Sequence, residues 1–192
     1  MFTGMGFYGC KKGTGDPMLS LHTRKGRLTA DWAISSSTDT YTFGGQTQIT
    51  TWTANTVTQT DPTGSTVGTA ARYNLSIIKD GTWKLDEGYT ESGTPATIYS
   101  VTQNGTWNWE GKVGDDKNKD RIVLRTLMDS QTISGSTSST TVKTYTGDLA
   151  PAQIFYIETL KSKELTMTWT GTSTSGSSST NETGTMTFTK SK

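Results

Sequence analysis

One cysteine, one histidine, four prolines and a hydrophobic fraction of only 30% mark this 192-residue chain by what it is short of. With Cys10 alone, no disulfide can form within the chain, so burial and hydrogen bonding must hold the fold. His22 is the only histidine, so nitrogen and sulfur ligand sets for a transition metal cannot be assembled. A Ser-His-Asp arrangement would have to recruit the same His22, which stands in a basic N-terminal stretch outside the strand-forming region. The chain contains no run of about eighteen apolar residues, and no transmembrane helix is expected. No Gly-rich phosphate loop precedes a helix, since Gly44-Gly45 reads as a hairpin turn. The net charge of +1 lacks the basic balance of a nucleic-acid-binding surface. Asp115, Asp116 and Asp120 lack the regular spacing of a calcium loop and read as a solvated turn. No metal and no cofactor is expected.

Hydroxyl side chains are what the sequence has in excess. It holds 41 Thr and 20 Ser, with 21 Gly. A low apolar content can signal disorder, but six Trp, seven Tyr and five Phe supply large buried areas. Threonine is β-branched and suits the wet face of a sheet. The composition fits a β domain with threonine outside and aromatics inside.

The periodicity agrees. Tyr73, Leu75 and Ile77 alternate with Asn74 and Ser76. Trp83 alternates with Leu85 through Lys84, and Trp107 with Trp109 through Asn108. Leu165, Met167 and Trp169 form the clearest amphipathic strand, followed late in the chain by Met186 and Phe188. Asp80-Gly81, Asn104-Gly105 and Asp61-Pro62-Thr63-Gly64 carry turn chemistry. Ser134–Ser139 and Ser173–Asn181 read as Ser/Thr/Gly loops. Together these predict about eight to ten short antiparallel strands, in a sandwich or a barrel. Leu19, Leu21 and Leu28 punctuate a basic stretch that predicts one short helix from about Ser20 to Leu28.

The N-terminus has its own character. Gly9 precedes Cys10, and Lys11-Lys12 follow it. Residues 1–28 hold five basic side chains against Asp16 alone, while the rest of the chain is net −3 from 13 basic and 16 acidic residues. A basic stem suits a segment beside anionic lipid. The small residue before Cys10 resembles the end of a bacterial lipoprotein signal, where that cysteine carries the lipid; the basic start and full apolar core of such a signal are not present. The division expected is a truncated signal and basic stem over 1–28 and a β domain over 29–192.

Several pieces then combine: Cys10-Lys11-Lys12-Gly13, Ala30-Asp31-Trp32, Lys79-Asp80-Gly81-Thr82-Trp83, Gly105-Thr106-Trp107, and Leu160-Lys161-Ser162-Lys163-Glu164-Leu165. In this order, from about Cys10 to Phe188, the chain resembles the lipocalin-like lipoproteins of the Bacteroidetes. The resemblance implies an all-β fold, an antiparallel up-and-down lipocalin-like barrel on a short stem. It also implies a monomer anchored to the outer membrane through Cys10. In lipocalins a Gly-x-Trp of the first strand packs at the closed end of the barrel; here Ala30 takes the glycine place and Trp32 matches.

The candidate interior residues are Trp32, Tyr73, Trp83, Trp107, Trp109 and Trp169. They line a cavity for a small apolar or amphipathic ligand, or they plug it, because a barrel of this size permits either. The leading functional expectation is a non-enzymatic envelope lipoprotein with such a pocket. A structural lipoprotein with a filled barrel is the alternative. A glycan-active enzyme, drawing two carboxylates from Glu87, Glu91, Glu110 and Glu158, is the third.

Overall fold

A computed structural model describes residues 23–110, 121–175 and 178–191. Cys10, His22 and the Asp115–Asp120 turn lie outside the described residues.

A five-residue helix, α1 (Arg24–Leu28), opens the fold, and the Thr23 side chain accepts the Gly26 N–H at 3.0 Å as its N-cap. Within the Ser20–Leu28 span where the leucine spacing predicts a helix, the described residues are helical from Arg24 to Leu28, and residues 20–22 lie outside the described residues. Eleven strands follow among the described residues. They are β1 (Asp31–Phe43), β2 (Gln46–Thr53), β3 (Thr56–Asp61), β4 (Gly64–Ile77), β5 (Thr82–Glu91) and β6 (Thr97–Trp109). The remainder are β7 (Arg121–Ser134), β8 (Ser138–Thr144), β9 (Ala152–Leu160), β10 (Glu164–Ser175) and β11 (Ser178–Lys190).

All pairings are antiparallel. Ten strands close a barrel in the order β1-β2-β3-β4-β5-β6-β7-β9-β10-β11, with β11 returning to β1. The eleventh, β8, hangs on the upper half of β7, while β9 pairs with its lower half.

The ring does not have the same girth at both ends. At the end carrying α1, β1 pairs directly with β4 through Asp31–Ser76, Trp32–Leu75 and Ala33–Asn74. Further up, the β2–β3 hairpin separates them. The hairpin acts as a wedge whose tip, Asn55, accepts the Ala71 N–H at 3.0 Å. At that point β4 bulges, with Ala70 at φ 49°, and changes partner. Below the wedge the barrel has eight strands and above it ten, so it widens from base to mouth.

Turn chemistry explains most of the connections. Gly44 and Gly45 have φ of 57° and 80°, as a two-residue hairpin turn requires. In the β3–β4 turn the Asp61 carboxylate accepts the N–H groups of Thr63 and Gly64, and in the β4–β5 turn Asp80 accepts that of Thr82. Asn104-Gly105 departs from the expectation of a turn, because it lies inside β6. Gly105 is needed there for close approach. A Cβ at that position would overlap the Arg125 carbonyl, which itself accepts the Trp83 indole N–H across the glycine at 3.2 Å.

The base is a packed core. Trp32, Phe188, Leu28, Ile122, Leu160, Leu165 and Met167 are fully buried there, with Ile77 and Trp83 nearly so. Burial of this apolar surface is the main driving force for closing the ring. The outside carries many threonines beside scattered exposed apolar side chains such as Val67, Val142 and Leu149. Hydroxyl ladders such as Thr42–Thr47, Thr132–Thr140 and Thr166–Thr187 bridge adjacent strands at 3.1 to 3.3 Å. No helix among the described residues is long and apolar enough to cross a membrane.

Candidate functional site

The six predicted interior aromatics divide between base and mouth. Trp32 is fully buried in the base, and its indole N–H donates to the Leu28 carbonyl at 2.9 Å, fastening helix to barrel. Trp83 is spent on the Arg125 carbonyl, and Trp107 on the Ile78 carbonyl at 2.8 Å. Trp109 meets Trp107 edge to face with centroids 5.9 Å apart, and the Lys25 ammonium lies 5.7 Å above the Trp107 ring. These four are core and closure. Tyr73 and Trp169 stand higher, where the interior is not filled.

Between the packed base and the mouth lies a cavity of about 310 Å³. Its walls include Tyr73, Trp169, Trp52, Phe155 and Met186, with the polar Ser37, Thr50, Gln59 and Gln153. Trp52 meets Tyr73 edge to face at 5.6 Å, and Phe155 meets Trp169 at 5.8 Å. The Trp169 ring lies across Gly184 on the neighbouring strand, where any Cβ would collide with it.

The unexpected constituents are acids. Asp39, Glu87 and Glu182 all line the cavity, and none of its described lining residues is basic. Burial, with the Glu182 charge added, pushes Asp39 up to about 6. Burial, with Asp129 added, pushes Glu87 up to about 7. Burial also raises the Tyr73 hydroxyl, and Glu87 and Asp39 add to that effect. Glu182 accepts the Trp169 indole N–H at 2.8 Å. Among the described residues, Oδ1 of Asp39 and Oδ1 of Asp129 are buried carboxylate oxygens without a hydrogen-bond partner. Among the described residues no three of His, Cys, Asp and Glu gather as a metal-ligand set.

Two of these acids are hidden from sequence periodicity by β-bulges. Alternation from Trp32 and Ile34 would turn Asp39 outward. Ser35 is an extra residue against β11, so Ser37 and Asp39 face inward instead. Leu127 plays the same part in β7, bringing Asp129 beside Glu87. Glu182 was legible, since it keeps the parity of Met186 and Phe188 down β11. Glu87 keeps the parity of Trp83 and Leu85. The other three carboxylates considered for hydrolysis lie elsewhere. Glu91 accepts from the Tyr99 hydroxyl, Glu158 from Thr168, and Glu110 follows the end of β6.

No family model, curated protein or solved structure matches this chain.

Proposed function

We propose that this protein is a non-enzymatic, lipocalin-like binding protein that holds one small molecule in the mouth of its barrel. The single observation that carries this reading is the cavity of about 310 Å³ above a packed base. That volume is at the lower end of the range of small-ligand sites, about 300–1,000 Å³, and the mouth of a β-barrel is a usual place for one. The base is closed by large side chains, so a ligand enters from the mouth and stops at the level of Met186 and Phe155.

Native mass spectrometry of the full chain, purified from a bacterial host, tests the reading. A stoichiometric small-molecule adduct is expected, and it should be lost on filling the cavity by Thr50→Trp. A clean unliganded mass that persists after incubation with a cell extract would overturn it.

We further propose that the chain belongs with lipocalin-like lipoproteins of the Bacteroidetes and is held at the outer membrane by lipid on Cys10. The support is the Gly9-Cys10-Lys11-Lys12 run and the basic stem. Cys10→Ala should move the protein from the membrane pellet to the soluble fraction; retention in the pellet would defeat the anchor.

A second reading, glycoside hydrolysis, is favoured by one observation, the raised Glu87 facing a cavity that also holds Asp39 and Glu182. It predicts release of nitrophenol from nitrophenyl glycosides, abolished by Glu87→Gln. The binding reading predicts none.

A further inference from the structure

The cavity's charge is more specific than its size. A site for a neutral apolar molecule has no use for three lining carboxylates, Asp39 and Glu87 among them held at a cost of burial. Asp39 and Glu182 lie on the adjacent strands β1 and β11, with Asp39 opposite Gly184. Glu87 lies on β5, backed by Asp129 on β7. In the ten-strand ring these two strand pairs fall on nearly opposite sides. The cavity thus has two anionic poles. Between them stand π faces, Trp52 and Tyr73 on one flank and Trp169 on the other.

The Oδ1 atom of Asp39, a cavity-lining residue, is buried and has no hydrogen-bond partner among the described residues. Such an acceptor is costly to leave unfilled. No basic side chain among the described lining residues stands ready to fill it, so its donor is a water or a ligand that enters the cavity. A bare metal ion does not suit the arrangement, because the carboxylates are spread and do not form a ligand set among the described residues. An elongated organic cation does suit it. Ammonium groups make charge-assisted hydrogen bonds to carboxylates and are attracted to aromatic faces, while a methylene chain packs on the rings between.

We propose that the cup takes an aliphatic diamine or longer polyamine in its ammonium form, one cationic end on Asp39 and Glu182 and the other on Glu87. This rests on the reading of the cavity as a ligand site and adds the class of ligand.

The test is isothermal titration calorimetry of the full chain with putrescine and spermidine, run beside butanediol and indole. Butanediol keeps the chain without the charges, and indole supplies a neutral aromatic ring. Putrescine and spermidine are expected to bind with one site, and the two neutral compounds are not. Asp39→Asn and Glu87→Gln should each weaken putrescine about tenfold, and together about a hundredfold, with thermal melts confirming that the variants are folded. Binding of butanediol or indole without the amines would overturn the cationic ligand and leave the binding cup standing. Amine binding unchanged in the double variant would place the amine elsewhere and also overturn it. If no compound binds and native mass spectrometry shows no adduct, both readings fall.

Discussion

Glu87 is an acid held where an acid is expensive. Its carboxyl is pushed from the ordinary 4.5 up to about 7, first by burial and then by Asp129. Between those values the native protein keeps a proton that the unfolded chain has already lost. On this group's account, stability rises as pH falls through about 7, and the gain is complete below the unfolded value. Urea unfolding at about pH 8, 7 and 6 should show that rise. Glu87→Gln should flatten it and raise the midpoint at the alkaline end. Asp61 and Asp80 act in the opposite sense. Hydrogen bonds from the Thr63 and Thr82 hydroxyls and N–H groups hold their carboxyls below the usual range, so their contribution survives until the pH falls below that range. Gly105 makes the sharpest single-site prediction. Gly105→Ala forces a methyl group onto the Arg125 carbonyl in the packed base, and should cost about 2–4 kcal/mol in denaturant unfolding.

At the scale of the element, the bulges decide which side chains face the cup. Removing Ser35 should restore plain alternation along β1. Because Ser35 is the one residue without a partner on β11, the pairs on either side keep their register, and Trp32, Ile34, Ser37 and Asp39 all still face inward. The expected outcome is a folded barrel with cooperative unfolding that still binds whatever the cup binds; loss of binding would show that the bulge shapes the cup beyond setting the phase of the strand. This is also where the sequence stops being readable. Strands with unbroken alternation, such as β5 and β10, can be placed by counting every second residue. A bulge inserts one residue with no compositional mark, so Asp39 and Asp129 change faces silently. Trp52 is lost for a different reason, since β2 is a short strand of Thr and Gln with no alternating apolar partner to set its phase. Asn104-Gly105 has the composition of a turn, but the demand for a missing Cβ came from a neighbouring strand and not from the local chain.

At the scale of the whole molecule, one end is a packed core and the other holds the cavity. The base buries its tryptophans and fastens their N–H groups to backbone carbonyls. Helix α1 belongs to that end, because Leu28 is fully buried and its carbonyl receives Trp32. Leu28→Ala should therefore cost about 2–5 kcal/mol in denaturant unfolding, as a deletion in a close-packed core does, without changing the ligand affinity of the distant cup. Loss of affinity with unchanged stability would contradict this division of labour.

The direct pairing of β1 with β4 below the β2–β3 hairpin has a consequence for how the fold can change. A hairpin entering between two strands that already join beneath it is, in architectural terms, an insert in a seam that closes on its own. Its length, charge and aromatic content can be rewritten, or the hairpin grafted from another barrel, while the eight-strand foundation stays as it is. Trp52 and Gln59 ride on that insert and face the cup. A library confined to Thr50, Trp52 and Gln59, with the buried Val57 kept, would therefore vary the walls of the cup on a constant scaffold.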